Sequence, residues 1–151
     1  MPVEIRPFCV DDGLALQGML RPQEAGVRTQ EAYRDYLRAF SHRGPAVTGW
    51  KDGKPVACGG ICLQWQGVGE AWVLCGTDVE RMPLTAIRQI VKHLELFTRD
   101  LELWRVQATV AADWDLARKF VEKLGFEAEG RLRKYMADGK DAIMYAKLIG
   151  D

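Results

Sequence analysis

Between residues 70 and 110 the chain changes its hydrophobic period twice. Glu70 to Gly76 (E-A-W-V-L-C-G) is a short, nearly continuous apolar run, the pattern of a strand covered on both faces. Leu84, Ile87, Val91, Leu94 and Leu101, with Ile90 and Phe97 beside them, then repeat at helical spacing, and Arg88, Lys92, Glu95 and Arg99 fall on the other side. That spacing predicts an amphipathic helix of about four turns. Trp104 to Val110 reads as a strand again. Strands separated by a helical pattern call for a crossover connection, the unit of an α/β sheet.

The flanking segments supply the rest of such a sheet. Val3 to Phe8 alternates apolar and polar residues and reads as a half-buried strand. Asp11 or Asp12 is placed to cap a helix carrying Leu14, Leu16, Met19 and Leu20, and Thr29 to cap a second with Tyr33, Tyr36, Leu37 and Phe40, ended by Gly44-Pro45. Ala46 to Trp50 is a strand, and Asp52-Gly53 is a hairpin signal. The return strand runs from Pro55 towards Trp65, with Gly59-Gly60 marking a bulge or a close backbone approach. Gly67 to Gly69 turns the chain into the apolar run. Past residue 110, Ala117, Phe120, Val121 and Leu124 form one helical face, with Gly125 as the expected C-cap. Phe126 opens a strand, Asp138-Gly139 marks a hairpin, and Ala142 to Ile149 is the last strand. The order β-α-α-β-β-β-α-β-α-β-β predicts a mixed α/β sheet with helices on both faces. At 151 residues, 1–151 forms one domain.

Charge and cysteine content narrow the function classes. Twenty-one Lys and Arg balance 21 Asp and Glu, which disfavours a strongly basic nucleic-acid binder. No apolar stretch reaches the roughly 18–20 residues of a membrane span, and Met1 to Arg6 lacks the pattern of a secretory signal. Cys9, Cys58, Cys62 and Cys75 contain no C-x-x-C pair, and His42 and His93 lie far from them in sequence. No metal site is expected from that spacing. Buried thiols in a cytoplasmic setting are the simplest reading.

The last third carries a resemblance. Ala117-Arg118-Lys119-Phe120-Val121-Glu122-Lys123-Leu124-Gly125-Phe126-Glu127 resembles the late helix and turn of the GNAT acetyltransferase superfamily. Glu129 to Tyr135, Asp138 to Asp141 and Met144 to Leu148 resemble the closing hairpin of its ribosomal-protein N-acetyltransferase-like members. Ile5-Arg6-Pro7 and the element order also match. The resemblance implies a GNAT fold: a mixed, mostly antiparallel sheet with a V-shaped split between two central parallel strands. It implies acetyl-CoA as co-substrate, an amine on a small molecule or a protein N-terminus as acceptor, and pairing of copies through exposed strands. Backbone groups near Leu74, Cys75 and Gly76 would pair with the pantetheine arm. The segment Arg81-Met82-Pro83-Leu84-Thr85-Ala86 would hold the diphosphate at a helix N-terminus, where free N–H groups and the dipole favour anions.

This sequence departs from the family pattern at three positions. Leu84 stands where the phosphate loop has its central glycine, next to Pro83, which lacks an N–H. Val121 stands at the place of the tyrosine acid in the late helix, and Trp114 at that of an asparagine near its start, with Asp113 beside it as a cofactor contact. Glu70 is then the candidate base. Tyr135 supplies a hydroxyl if the closing hairpin folds over the cleft. Cys75 reads as a buried hydrophobe, and Trp65, Trp72, Trp104 and Trp114 as core or rim. A second reading follows from the same departures and from Trp72 to Val79, which is similar to phage-encoded GNAT-like proteins. It is a catalytically silent binding or structural module with a virion or other protein partner. Its cleft would be plugged by Trp72, Met82 or Leu84.

Overall fold

A computed structural model of the chain describes residues 3–16, 30–75 and 84–150, and for 30–32, 75 and 84–86 the backbone alone. Eleven elements follow one another: β1 (Glu4–Pro7), α1 (Val10–Leu16), α2 (Gln30–His42), β2 (Ala46–Lys51), β3 (Lys54–Trp65), β4 (Val68–Cys75), α3 (Leu84–Asp100), β5 (Arg105–Ala111), α4 (Asp115–Lys123), β6 (Glu127–Leu132) and β7 (Ala142–Leu148). The strands form one seven-stranded sheet in the order β1-β2-β3-β4-β5-β7-β6. Every neighbouring pair is antiparallel except β4 and β5, which are parallel and joined through α3. The mixed α/β expectation therefore holds, with the crossover where the change of period put it.

Strand alternation sorts the core onto two faces. Cys58 and Leu74 point to one face and pack with Leu16 of α1 and Tyr33 and Leu37 of α2, joined by Phe8, Phe40 and Trp72. Ile61, Ala71 and Val106 point to the other and meet Leu94 and Phe97 of α3 and Leu101 just after it. Val110, Ile143 and Tyr145 continue that second face under Ala117 and Val121 of α4. Val121 is thus committed to packing.

Three local expectations change. Asp12 does not cap α1 from outside. It lies one turn in and reaches back, its Oδ2 accepting from the Cys9 N–H at 3.1 Å, while the Asp12 N–H donates to the Cys9 carbonyl at 3.0 Å. Cys9 is therefore the cap residue and Asp12 the reciprocal acid, as in a capping box. The reason is tertiary: the buried Thr48 hydroxyl donates to the same Asp12 Oδ2 at 2.8 Å. Gly59 and Gly60 do not bulge, since register runs unbroken through them. They are close-approach sites: a Cβ on Gly59 would sit 2.8 Å from Ile90 Cγ2, and one on Gly60 2.6 Å from the Pro45 carbonyl oxygen. β4 begins at Val68, earlier than its apolar run, because it pairs with Trp65 of β3 as soon as the turn closes.

Other turn chemistry is as read. Asp52 and Gly53 both have positive φ, 52° and 75°, the primed hairpin geometry. Gly125 has φ 94° beyond α4, and Phe126 N–H donates to the Val121 carbonyl at 3.2 Å while Gly125 N–H donates to Glu122 at 3.1 Å. That pair of bonds is a Schellman cap. Met19, Leu20 and Thr29 lie outside the described residues. Cys58 and Cys62 are buried, whereas Cys9 is exposed. Among the described residues no helix is long and apolar enough to cross a membrane.

Candidate active site

The parallel ladder between β4 and β5 is short. It pairs Val68 with Arg105, Gly69 with Val106 and Glu70 with Gln107, and stops there. Beyond that point β4 continues to Cys75 against β3 alone, and β5 continues to Ala111 against β7 alone. The sheet opens at its middle into two arms, with Glu70 and Gln107 at the apex. Inner-edge backbone groups of both arms face the opening, where an extended ligand can take the place of a strand.

Period-two alternation puts Glu70, Trp72 and Leu74 on the α1–α2 face of β4, and Arg105, Gln107 and Thr109 on the same face of β5. Glu70 is joined to β5 by a side-chain bond: Gln107 Nε2 donates to Glu70 Oε1 at 3.2 Å. Gln107 Oε1 in turn accepts from Arg105 Nε at 3.1 Å. Arg105 is held by both oxygens of Glu129, at 2.7 and 3.1 Å. A guanidinium only donates, so it fixes which end of the Gln107 amide faces Glu70.

Tyr36, Cys62 and Tyr135 each feel the charge of Glu70. Cys62 is directly across from Glu70 in the β3–β4 register. Tyr36 comes from α2; its ring is 4.3 Å from that of Phe40, which stacks on Trp72 at 4.5 Å. Burial, reinforced by the charge of Glu70, pushes the Tyr36 phenol up to about 12. Burial pushes the Cys62 thiol up to about 11, with Arg43 opposing and Glu70 assisting. Tyr135 is raised as well, by burial first and Glu70 second, against a lowering bond with Thr109. All three groups therefore keep their protons at neutral pH, and Cys62 is a thiol rather than a nucleophilic thiolate.

Tyr135 lies in the connection between β6 and β7 and is half-exposed. Asp141 organises that connection, accepting from Arg131 Nε at 2.7 Å and from the Lys134 N–H at 2.9 Å. The charge of Glu70 contributes to the upward shift of Tyr135, far from it in sequence. Leu74 lies on the β4 arm with its side chain in the core, leaving its backbone to face the opening. Cys75 ends that arm. Leu84, Thr85 and Ala86 open α3. Gly76, Arg81, Met82 and Pro83 lie outside the described residues. Asp113 lies beyond the end of β5 and bridges Lys140 at 3.4 Å, away from the apex. Trp72 is held by stacking on Phe40 and by an edge contact with Phe8 at 5.4 Å. Trp65 and Trp104 are largely exposed.

No family model and no curated protein sequence matches the chain. Solved structures do. Ard1 from Thermoplasma volcanium superposes with a TM-score of 0.81 at 16% identity, covering 100% of both chains. An N-acetyltransferase from Staphylococcus aureus Mu50 gives 0.75 at 15%, covering 99% of this chain and 100% of that one. A ribosomal-protein-alanine N-acetyltransferase from Brucella melitensis gives 0.72 at 17%, covering 97% and 99%. The chain has the GNAT fold. At these identities the likeness is one of architecture, and a fold hosts a function only through its site.

In this GNAT fold the opened arms present strand edges that an extended ligand can pair with, and the start of α3 is a helix N-terminus, where N–H donors favour an anion. Among the described residues no group of three or more His, Cys, Asp or Glu side chains is arranged to hold a metal. Sequence reasoning missed Gln107, Tyr36, Cys62 and Thr109 as site residues. A signal existed for two of them: Arg105, Gln107 and Thr109 are polar at every second position of a strand otherwise made of Val and Ala, which marks a polar face aimed at something.

Proposed function

We propose that this protein transfers an acetyl group from acetyl-CoA to an amine by direct attack. The observation that carries the reading is the end of the β4–β5 ladder at Glu70 and Gln107, which leaves an opening with a carboxylate at its apex. Leu74, Cys75 and Gly76 would bind the pantetheine arm through their backbone. Leu84, Thr85 and Ala86 at the start of α3, with Arg81 and Pro83 just before them in sequence, would hold the diphosphate, and Asp113, beyond the end of β5, would be a further cofactor contact. Bound acetyl-CoA supplies an activated thioester carbonyl.

Glu70 takes the proton of the attacking amine through a water, and Tyr135 donates a proton to the departing sulfur. The new C–N bond forms as the C–S bond breaks, so nitrogen loses one proton and the CoA sulfur gains one. The protonated Cys62 argues against an acetyl-cysteine intermediate.

Calorimetric titration of acetyl-CoA and CoA, paired with an assay of free CoA thiol, tests this. Micromolar binding that weakens about tenfold in Arg81→Ala is expected, the loss of one charge-assisted contact. Absence of heat at millimolar ligand would overturn the reading and leave the silent binding module.

A further inference from the structure

The β4–β5 ladder ends on a row of polar side chains that crosses the sheet. Glu129 of β6, Arg105 and Gln107 of β5 and Glu70 of β4 are linked in that order, although β7 lies between β6 and β5. Glu129 holds the terminal nitrogens of Arg105 with both oxygens, at 2.7 and 3.1 Å. Arg105 Nε donates to Gln107 Oε1 at 3.1 Å, and Gln107 Nε2 donates to Glu70 Oε1 at 3.2 Å. Each of these bonds has an ion at one end or both, so each is charge-assisted. An isolated exposed ion pair contributes little. This one is bidentate, with Arg105 mostly shielded. The rigid fork of the guanidinium then aims Nε in a fixed direction, at Gln107.

Glu129 reaches Arg105 from an irregularity in β6. Ala128 faces Tyr145 of β7 and Gly130 faces Met144, so Glu129 is the extra residue of a β-bulge. A bulge re-aims a side chain, and bulges are over-represented beside active sites. The other end of the row is the last pair of the β4–β5 ladder, Glu70 with Gln107. Past that pair the two strands part, so Gln107 is the last β5 residue set across from the Glu70 carboxylate. A glutamine amide can turn either end to its neighbour. Turned the other way, its oxygen would face the carboxylate and its NH2 the guanidinium, and both attractions would become repulsions. Arg105 therefore selects the turn in which Gln107 holds one oxygen of Glu70 and leaves the other outside the row.

We propose that Gln107, braced by Arg105 and by the bulged Glu129, is the positioning residue that fixes the Glu70 carboxylate at the apex of the split. Its effect on turnover rests on the acetyl-transfer reading, and its bond to Glu70 does not. Two measurements on the full chain test it. The first follows the Gln107 side-chain amide and the Arg105 Nε–H by nitrogen-15 NMR. Glu129→Ala should move both signals, although Arg105 stands between Glu129 and Gln107. Arg6→Gln should move neither, since it breaks an exposed 2.9 Å pair with Glu4 on β1, at the opposite edge of the sheet. The second measures CoA release from acetyl-CoA, with n-butylamine and an alanine-terminated hexapeptide as acceptors. Gln107→Met, close in volume, should lower kcat about tenfold and leave KM for acetyl-CoA unchanged, the loss of one bond to a charged group. Glu129→Ala should lower kcat about threefold, the scale of a partly exposed ion pair. The Gln107→Met/Glu129→Ala double variant should be no slower than Gln107→Met, because Glu129 acts only through the amide. Arg105→Lys should be as slow as Arg105→Leu, since an ammonium cannot replace the fork. Unmoved Gln107 signals in Glu129→Ala, multiplying losses in the double variant, or wild-type turnover in Arg105→Lys would each overturn the proposal. If the wild-type chain releases no CoA with either acceptor, the acetyl-transfer reading loses, and the spectrum alone decides whether the row holds Glu70.

Discussion

At the scale of single residues, the site depends on polar groups whose partners lie on other elements. Glu70 stood out in the sequence because a carboxylate opens an apolar run. Gln107 did not, because its role exists only where β5 is laid against β4. Glu70→Gln should lower turnover by about 10²- to 10⁴-fold, the usual worth of a positioned base, while the thermal midpoint stays near wild type. A variant that keeps most of its CoA-release rate would remove Glu70 from the mechanism. The Thr48–Asp12 bond belongs to the same scale. Thr48 is fully buried and donates to a buried carboxylate, so Thr48→Val should cost about 1–3 kcal/mol by leaving an acceptor short of a donor. Thr48→Ser should recover most of it in urea unfolding. Equal midpoints for the Val and Ser variants would mean that packing, not the hydroxyl, is what matters there.

At the scale of elements, caps and turns were legible and close approaches were half-legible. Asp52-Gly53 and Gly125 act through local backbone conformation, so their sequence signal carries the whole cause. Gly59-Gly60 signalled that something special happens in β3. Bulge and close approach look alike in sequence, because a strand's own residues do not say what will lie against it. Here Ile90 of α3 presses on one glycine and the Pro45–Ala46 backbone on the other. Gly60→Ala should therefore destabilise the fold by about 1–3 kcal/mol, as overpacking does. Gly130→Ala, where nothing lies within 4 Å of the added methyl, is the matched control and should change the urea midpoint little. The α1 cap shows the same limit: two adjacent aspartates were equal candidates until Thr48 selected Asp12.

At the scale of the whole molecule, the shifts at Tyr36 and Cys62 set an alkaline limit. Their ordinary values, 10.0 and 9.0, rise to about 12 and about 11 on folding. Above pH 9 the unfolded chain releases protons that the folded chain retains, so stability is full below that point and falls as pH rises towards 12. Tyr36 is 43% exposed, so solvent screens part of its effect. The urea midpoint should drop between pH 8 and pH 10.5, and drop less in Tyr36→Phe/Cys62→Ala. An identical slope in both proteins would assign the loss to other groups. The sequence by itself determined the order of elements, the crossover between two central strands and the late-helix cap, because period, turn chemistry and propensity act over a few residues. Only the tertiary structure decided where β4 and β5 part, which cysteine lies across from Glu70 and which amide holds it, because those contacts join residues that sheet order, not chain order, makes neighbours.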